Sequence, residues 1–204
     1  MKKHLQAAAM ACAACVAVTA HAQSTTSEAK SGVTPFLSAG LTFGGDQIGE
    51  DVQYEDGANR SLHAGGMMDL RAGVEYQLPQ QPWSFQLSIG YHFDRASAEN
   101  GSATFHRIPL ELLAHYRLNE SWRVGAGLRK SLNAQSDASG LGNQFVSDRK
   151  YKSSAGFVVE AEVLFGQNIG LKVRGVSEEF TPETGPNTKL DGTHMGIYAS
   201  YYFK

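Results

Sequence analysis

Apolar and polar residues alternate at every position of the segment 83–94, which reads WSFQLSIGYHFD. A repeat of two residues places successive side chains on opposite faces of a β-strand. The segment is therefore predicted to be a strand with one apolar face and one polar face. Which of these faces points into the protein decides the class of protein to which the chain belongs.

The same alternation recurs along the rest of the chain. It predicts eight strands, at residues 33–45, 63–78, 83–94, 104–118, 122–132, 154–165, 169–178 and 193–203. The connections at 79–82, 119–121 and 166–168 are short, whereas those at 46–62, 95–103, 133–153 and 179–192 are long and polar. Short turns at one end and long loops at the other are typical of an outer-membrane β-barrel.

Side-chain volume indicates which face of each strand lies inside. The interior of an eight-stranded barrel is only wide enough to be filled by side chains, and the large residues of the apolar faces are too numerous to fit there. The polar faces, in contrast, carry many glycines, among them Gly40, Gly73, Gly90 and Gly127. We therefore predict an all-β protein: an eight-stranded antiparallel up-and-down transmembrane barrel with apolar side chains facing lipid and polar side chains facing the lumen.

The N-terminus has the features of a secretory signal peptide. Lys2 and Lys3 precede a weakly apolar run at 7–20, and Ala20-His21-Ala22 provides a small-residue cleavage site. The run is too short and too rich in alanine to be a membrane anchor. Residues 1–22 are thus expected to be removed, together with both cysteines of the chain, and residues 23–204 to form the barrel domain without disulfides.

Charge and motifs narrow the classes of function. Without the signal peptide the chain has 16 basic and 20 acidic residues, which argues against a nucleic-acid partner. The histidines lack the spacing of metal ligands, and no Ser-His-acid set is evident. We therefore predict no catalytic residue, no metal and no cofactor.

The alternating terminal strand MGIYASYYFK and the layout of turns and loops resemble the small bacterial outer-membrane barrels of the OmpA/OmpX type. The resemblance is architectural and covers the whole of 23–204. It implies an integral protein of the bacterial outer membrane with periplasmic termini and extracellular loops. The expected partners are outer-membrane lipid, lipopolysaccharide and the barrel assembly machinery, which reads the last strand; the barrel is expected to be a monomer.

Charged residues share the inward parity of the strands. Seven are basic and seven acidic, namely Arg71, Arg107, Arg117, Arg123, Arg129, Lys172 and Arg174, and Asp69, Glu75, Asp94, Glu111, Glu160, Glu162 and Glu178. If the short connections are tight hairpins, counting back from them gives the opposed pairs Glu160 and Arg174, Glu162 and Lys172, Glu111 and Arg129, and Asp69 and His92. Such a balance predicts a lumen closed by ion pairs, and the Asp69–His92 pair is interpreted as structural rather than catalytic.

These features favour a structural or surface-interaction role exercised through the extracellular loops. The alternatives are a narrow channel and an outer-leaflet lipid-modifying enzyme. Arg149, Lys150 and Lys152 lie just beyond a predicted strand, where they are expected to contact lipopolysaccharide phosphates. Pro109 cannot donate a hydrogen bond to a β-ladder, so a bulge or an interrupted ladder is predicted around it.

Overall fold

A computed structural model describes residues 32–49, 52–53, 59–98, 101–140, 146–185 and 188–204. The predicted signal peptide lies outside these residues. The strands are β1 (Gly32–Gly44), β2 (Val52–Gln53), β3 (Asn59–Arg60), β4 (Met67–Gln77), β5 (Trp83–Ala98), β6 (Gly101–Arg117), β7 (Trp122–Gly140), β8 (Arg149–Ser153), β9 (Ala155–Phe165), β10 (Ile169–Ser177), β11 (Glu179–Pro182), β12 (Leu190–Asp191) and β13 (His194–Tyr202). No helix in the described part of the chain is long and apolar enough to cross a membrane.

Eleven of these strands form one closed antiparallel barrel, in the order β12-β11-β8-β7-β6-β5-β4-β1-β13-β10-β9, with β7 also paired to β9. The first strand, β1, pairs with β4 and with the last strand, β13, while β2 and β3 form a separate two-stranded sheet. The barrel wall has eight positions, or staves, and three of them are each built from two consecutive strands: β8 with β9, β10 with β11, and β12 with β13. Closure leaves no unpaired edge, which a lipid environment requires because it offers no hydrogen-bond partners. The predicted fold class is confirmed.

The apolar faces point outward, as the volume of the side chains predicts. Leu37, Phe85 and Ile197 are about half exposed on the outer wall, while their neighbours along each strand are buried in the lumen. The lumen is crowded: a Cβ added to Gly40 would lie 2.2 Å from the ring of Tyr198, its partner on β13. The glycine therefore makes room for a large inward side chain on the neighbouring strand.

The barrel wall continues beyond the predicted strand ends on the long-loop side. Residues 95–103 were expected to form a loop, but β5 runs to Ala98 and β6 begins at Gly101. β7 likewise extends to Gly140, and β8 occupies part of the expected loop 133–153. The prediction of loops was wrong here because these stretches are rich in Ser, Ala and Asn. They lack the large apolar residues that mark a lipid-facing strand.

Two strand irregularities bend the wall where this extension begins. In the β6–β7 ladder, His106 pairs with Gln135 but Ile108 pairs with Leu132, so β7 holds one extra residue at that point, where Asn133 has φ +47°. In the β5–β6 ladder no partners oppose Ile108 and Pro109, and pairing resumes in the same register. The predicted disturbance around Pro109 is thus present as an interrupted ladder on one side and a bulge on the other.

Candidate functional site

The lumen holds twelve buried charged residues. Six are basic and six acidic: Arg71, Arg107, Arg123, Arg129, Lys172 and Arg174, and Asp69, Glu75, Glu111, Glu160, Glu162 and Glu178. Arg117 and Asp94, which share their inward parity, are only half-buried, near the two ends of the barrel. The buried charges therefore balance within the described part of the lumen, as burial of ions away from water requires.

Glu111 is the central acceptor of this network. Its Oε2 lies 2.6 Å from Arg71 Nη1 and 2.5 Å from Arg174 Nη2, and its Oε1 lies 3.0 Å from Arg129 Nη1. Arg129 is its cross-strand partner on β7, as the register predicts. Arg71 and Arg174 reach it from β4 and β10, across the lumen. One carboxylate thus joins four staves of the barrel.

The predicted hairpin at 166–168 sets the charges of β9 and β10 opposite one another. Glu160 is the partner of Arg174, at 2.9 Å, and Glu162 is the partner of Lys172, at 3.8 Å. Lys172 lies nearer to Glu160, at 3.2 Å, and His115 is 2.7 Å from the same carboxylate. Each carboxylate therefore has partners beyond the residue directly opposite.

Arg123 connects this group to the periplasmic end of the lumen. Its guanidinium donates to Glu162 at 2.5 Å and to Glu75 at 2.6 Å, so that it bridges β9 and β4. The hydroxyl of Tyr202 donates to Glu162 at 2.8 Å, and its ring lies 4.9 Å from the Arg123 guanidinium carbon. A planar guanidinium suits this position because it can bind two carboxylates at once.

Asp69 and His92 are opposed on β4 and β5 and are fully buried. Their closest approach is 3.7 Å, too long for a hydrogen bond. Instead, His92 Nδ1 accepts from Arg107 at 2.9 Å and from Arg129 at 3.2 Å. This leaves the proton on Nε2, which lies 2.9 Å from Thr42 Oγ1. His92 is thus a neutral acceptor for two arginines, and Asp69 does not orient it as a catalytic carboxylate would.

An apolar cluster closes the lumen on the extracellular side. Phe105 contacts Tyr151 and Phe180 edge to face, with ring centroids 5.6 and 5.4 Å apart, and the Arg107 guanidinium lies beneath Phe105 and Phe180 at 5.3 and 5.2 Å. We call this group the cap; its buried members are Ile48, Leu62, Ala64, Ala103, Phe105, Ala134, Val146, Tyr151 and Phe180. The cap was not predicted from the sequence, although Phe105 shares the inward parity of Arg107.

Little space remains inside the barrel. The cavity in the middle of the lumen has a volume of about 10 Å³, lined by Arg71, Glu111, Glu160 and Arg174 among others. Such a volume suits about one water molecule. The residues that line this cavity belong to the network of buried charges described above.

One group of side chains has the composition of a metal site. The ligand atoms of His115, Glu160 and Glu162 lie within 4.8 Å of one another. Lys172 contacts both carboxylates, however, and Arg174 contacts Glu160. The protein's own cations therefore take the place that a bound metal ion would need.

The three residues predicted to contact lipopolysaccharide separate into two groups. Lys150 and Lys152 are exposed on the outer wall, on either side of the inward-facing Tyr151. Arg149 shares the parity of Tyr151, and its guanidinium lies beside Gly185, 3.9 Å from where a Cβ would stand. Arg149 is thus directed toward the loop after β11 and is half-buried, unlike the two lysines. Lys130 is also exposed on the outer wall, and its ammonium contacts the carbonyl oxygen of Ser153.

The closed barrel, the lipid-facing apolar wall and the charged lumen define a small outer-membrane barrel. A family model described as outer membrane protein beta-barrel domain matches residues 8–203, and the chain belongs to this family. Its place is accordingly the bacterial outer membrane.

Solved structures share the fold. The crystal structure of Ail, the attachment invasion locus protein of Yersinia pestis, in complex with the heparin analogue sucrose octasulfate, matches with a TM-score of 0.50 and 11% identity, covering 86% of this chain and 100% of that one. Neisserial surface protein A matches with a TM-score of 0.48 and 12% identity, covering 84% and 97%. A search of the curated proteins finds no match.

Proposed function

We propose that the protein is a monomeric outer-membrane barrel with a non-conducting lumen, whose role is structural or is exercised through its extracellular loops. The observation that carries the proposal is the filling of the lumen by six basic and six acidic side chains beneath an apolar cap. A selective pore needs a continuous hydrated path lined by groups that bind ions weakly. Paired charges beneath an apolar cap provide neither a hydrated path nor groups that bind ions weakly.

Planar-bilayer recording tests this proposal. The purified full-length barrel, folded in detergent and added to the bilayer, is expected to give no stable conductance steps. A larger porin inserted under the same conditions is the positive control. Folding is checked first on a gel, where the unboiled barrel should migrate faster than the boiled chain. Stable single-channel steps from the folded protein would contradict the proposal and favour a narrow channel instead.

Binding, rather than catalysis, is the activity we propose for the extracellular side. The opposed pair Asp69 and His92 is completely buried, which places it out of reach of a lipid substrate. A variant with residues 50–58 replaced by a short turn tests this proposal, because it keeps Ile48 and Leu62, which pack in the cap. If the loops carry the function, this variant should fold normally on the gel but differ from the intact protein in a comparison of surface binding and of the phenotype of a strain that lacks the protein. An unchanged phenotype would favour a purely structural role.

The end of the last strand supports recognition by the barrel assembly machinery. Phe203 is half exposed on the outer wall, while the ammonium of Lys204 lies 5.7 Å from the ring of Tyr202, at the periplasmic mouth. Lys204 therefore leaves the side chain of Phe203 accessible. Deletion of Lys204 is expected to leave the amount of assembled barrel unchanged, whereas Phe203→Ala should reduce it.

A further inference from the structure

Two β-bulges on neighbouring staves lie where the lipid-facing part of the outer wall ends and the extracellular extension begins. β7 carries an extra residue at Asn133, and Ser154 and Ala155 are both exposed between the buried Ser153 and Gly156. Ser177 is opposite Phe157, and Phe180 is opposite Ser153. The β8–β9 stave therefore holds one extra residue between these two pairs, which is a second bulge. A β-bulge bends the strand that contains it. The wall is thus bent where the lipid-facing surface gives way to the extracellular extension.

A crevice of about 370 Å³ lies on the outer wall at this bend. Phe157 borders it on the membrane side and is 67% exposed, like the lipid-facing residues next to it. The remaining border is polar and is supplied by three adjoining staves. Its outward side chains are Ser154, Ser177, Glu179, Asp191 and Thr193.

These polar groups form a mixed donor and acceptor surface. The three hydroxyls can each donate and accept, and the two carboxylates are acceptors. Glu179 lies opposite Asp191 in the β11–β12 ladder and forms an exposed ion pair with Lys189 at 2.7 Å. Hydroxyl and carboxylate groups beside an apolar floor suit the hydroxyl and amide groups of a sugar better than the diester of a simple phospholipid.

Besides Lys189, which is paired with Glu179, two exposed lysines lie next to residues that line the crevice. Lys130 is the cross-strand partner of Ala155, which lines it, and Lys152 is exposed two residues before Ser154. Lys130 follows the exposed Leu128 by two residues on β7, and Lys152 lies on the long-loop side of the exposed Phe157. An ammonium group in such a position can bind a phosphate with a charge-assisted hydrogen bond.

We propose that this crevice binds the headgroup of a phosphorylated glycolipid of the outer leaflet. Lys130 and Lys152 contact its phosphate, the hydroxyls and carboxylates contact its sugar, and its acyl chains run down the wall over Phe157. The proposal extends the expected contact with lipopolysaccharide to a defined site, and it does not depend on whether the lumen conducts.

Native mass spectrometry of the folded barrel in detergent tests the proposal. The probes are bisphosphorylated lipid A, the same lipid A after removal of its phosphates, and phosphatidylglycerol. The wild-type barrel should retain one bisphosphorylated lipid A at the lowest concentration, and each of the other two lipids should bind about tenfold more weakly. The Lys130→Met/Lys152→Met double variant should lose about tenfold to a hundredfold in affinity for bisphosphorylated lipid A.

Arg95→Gln is the matched control, because Arg95 is exposed on β5, which β6 and β7 separate from the crevice. It should bind as the wild type does. Ser177→Tyr, which fills the crevice without changing charge, should weaken lipid A binding and leave phosphatidylglycerol binding unchanged. Equal retention of lipid A and phosphatidylglycerol would overturn the proposal, as would wild-type affinity in the double variant or an equal loss in Arg95→Gln. If a variant fails to fold, equal retention of lipid A and phosphatidylglycerol by the wild-type barrel would still overturn the proposal.

Discussion

Replacing Glu111 with alanine should destabilise the barrel more than removing any one of its partners. The Glu111 carboxylate contacts Arg71, Arg129 and Arg174 at 2.5–3.0 Å, and all four side chains are at most 5% exposed. Without it, six buried cations would face five carboxylates. Breaking a buried ion pair by removing one partner typically costs about 3–5 kcal/mol, because the other charge stays buried and uncompensated. We expect Glu111→Ala to lower the free energy of unfolding by about that amount.

Arg174→Ala should cost less than Glu111→Ala, although it removes a larger side chain. Glu111 would keep Arg71 and Arg129, and Glu160 would keep Lys172 at 3.2 Å and His115 at 2.7 Å. The double variant should be more stable than the sum of the two single losses predicts, by about 0.5–3 kcal/mol, because the two residues share one network.

The assay is equilibrium unfolding in urea, followed by the shift between folded and unfolded gel bands. Lys189→Ala is the control, since Lys189 and Glu179 form an ion pair of similar length but are 62% and 44% exposed. Exposed pairs contribute about 0–1 kcal/mol. If Glu111→Ala were no more destabilising than Lys189→Ala, or if the losses of Glu111 and Arg174 simply added, the lumen would not be held by a shared network of buried charges.

Three further predictions use the same unfolding assay. Gly40→Ala should cost about 1–3 kcal/mol by overpacking against the Tyr198 ring, whereas Gly32→Ala should be nearly neutral, because nothing lies within 4 Å of its new Cβ; equal effects would contradict the close packing of Gly40. Gly166→Ala should cost about 1–2 kcal/mol because φ is +65° in this turn, and a neutral result would mean that the turn can change conformation freely. Phe180→Ala should cost about 3–5 kcal/mol by opening the cap; a loss below about 1 kcal/mol would show that the cap contributes little to stability.

The sequence alone determined the barrel architecture, because the features that predict it lie within short segments of the chain. Strict alternation at 83–94 shows the two faces of a strand, and the volume of the apolar side chains shows which face meets lipid. A three-residue turn at 166–168 then suffices to set Glu160 opposite Arg174, because the length of a hairpin turn fixes which residues of its two strands are opposite one another.

Only the closed barrel decided which charges share a partner. Arg71 and Arg174 lie on strands that are not adjacent to β6, and they meet Glu111 because closure brings opposite walls within the reach of an arginine side chain. Pairwise counting along a hairpin cannot find such contacts, since they depend on the radius of the barrel.

The cap and the crevice also depend on tertiary structure. Within the membrane the surroundings are lipid, so apolar side chains such as Leu110 face outward; above it the surroundings are water, so Phe105 on the same strand faces inward. The parity of the strand places Phe105 inward with Arg107, but it cannot show that inward apolar residues of several staves meet above the charged lumen as a cap. The crevice likewise arises from bulges on neighbouring staves that coincide in height, and this height is known only once the strands are paired.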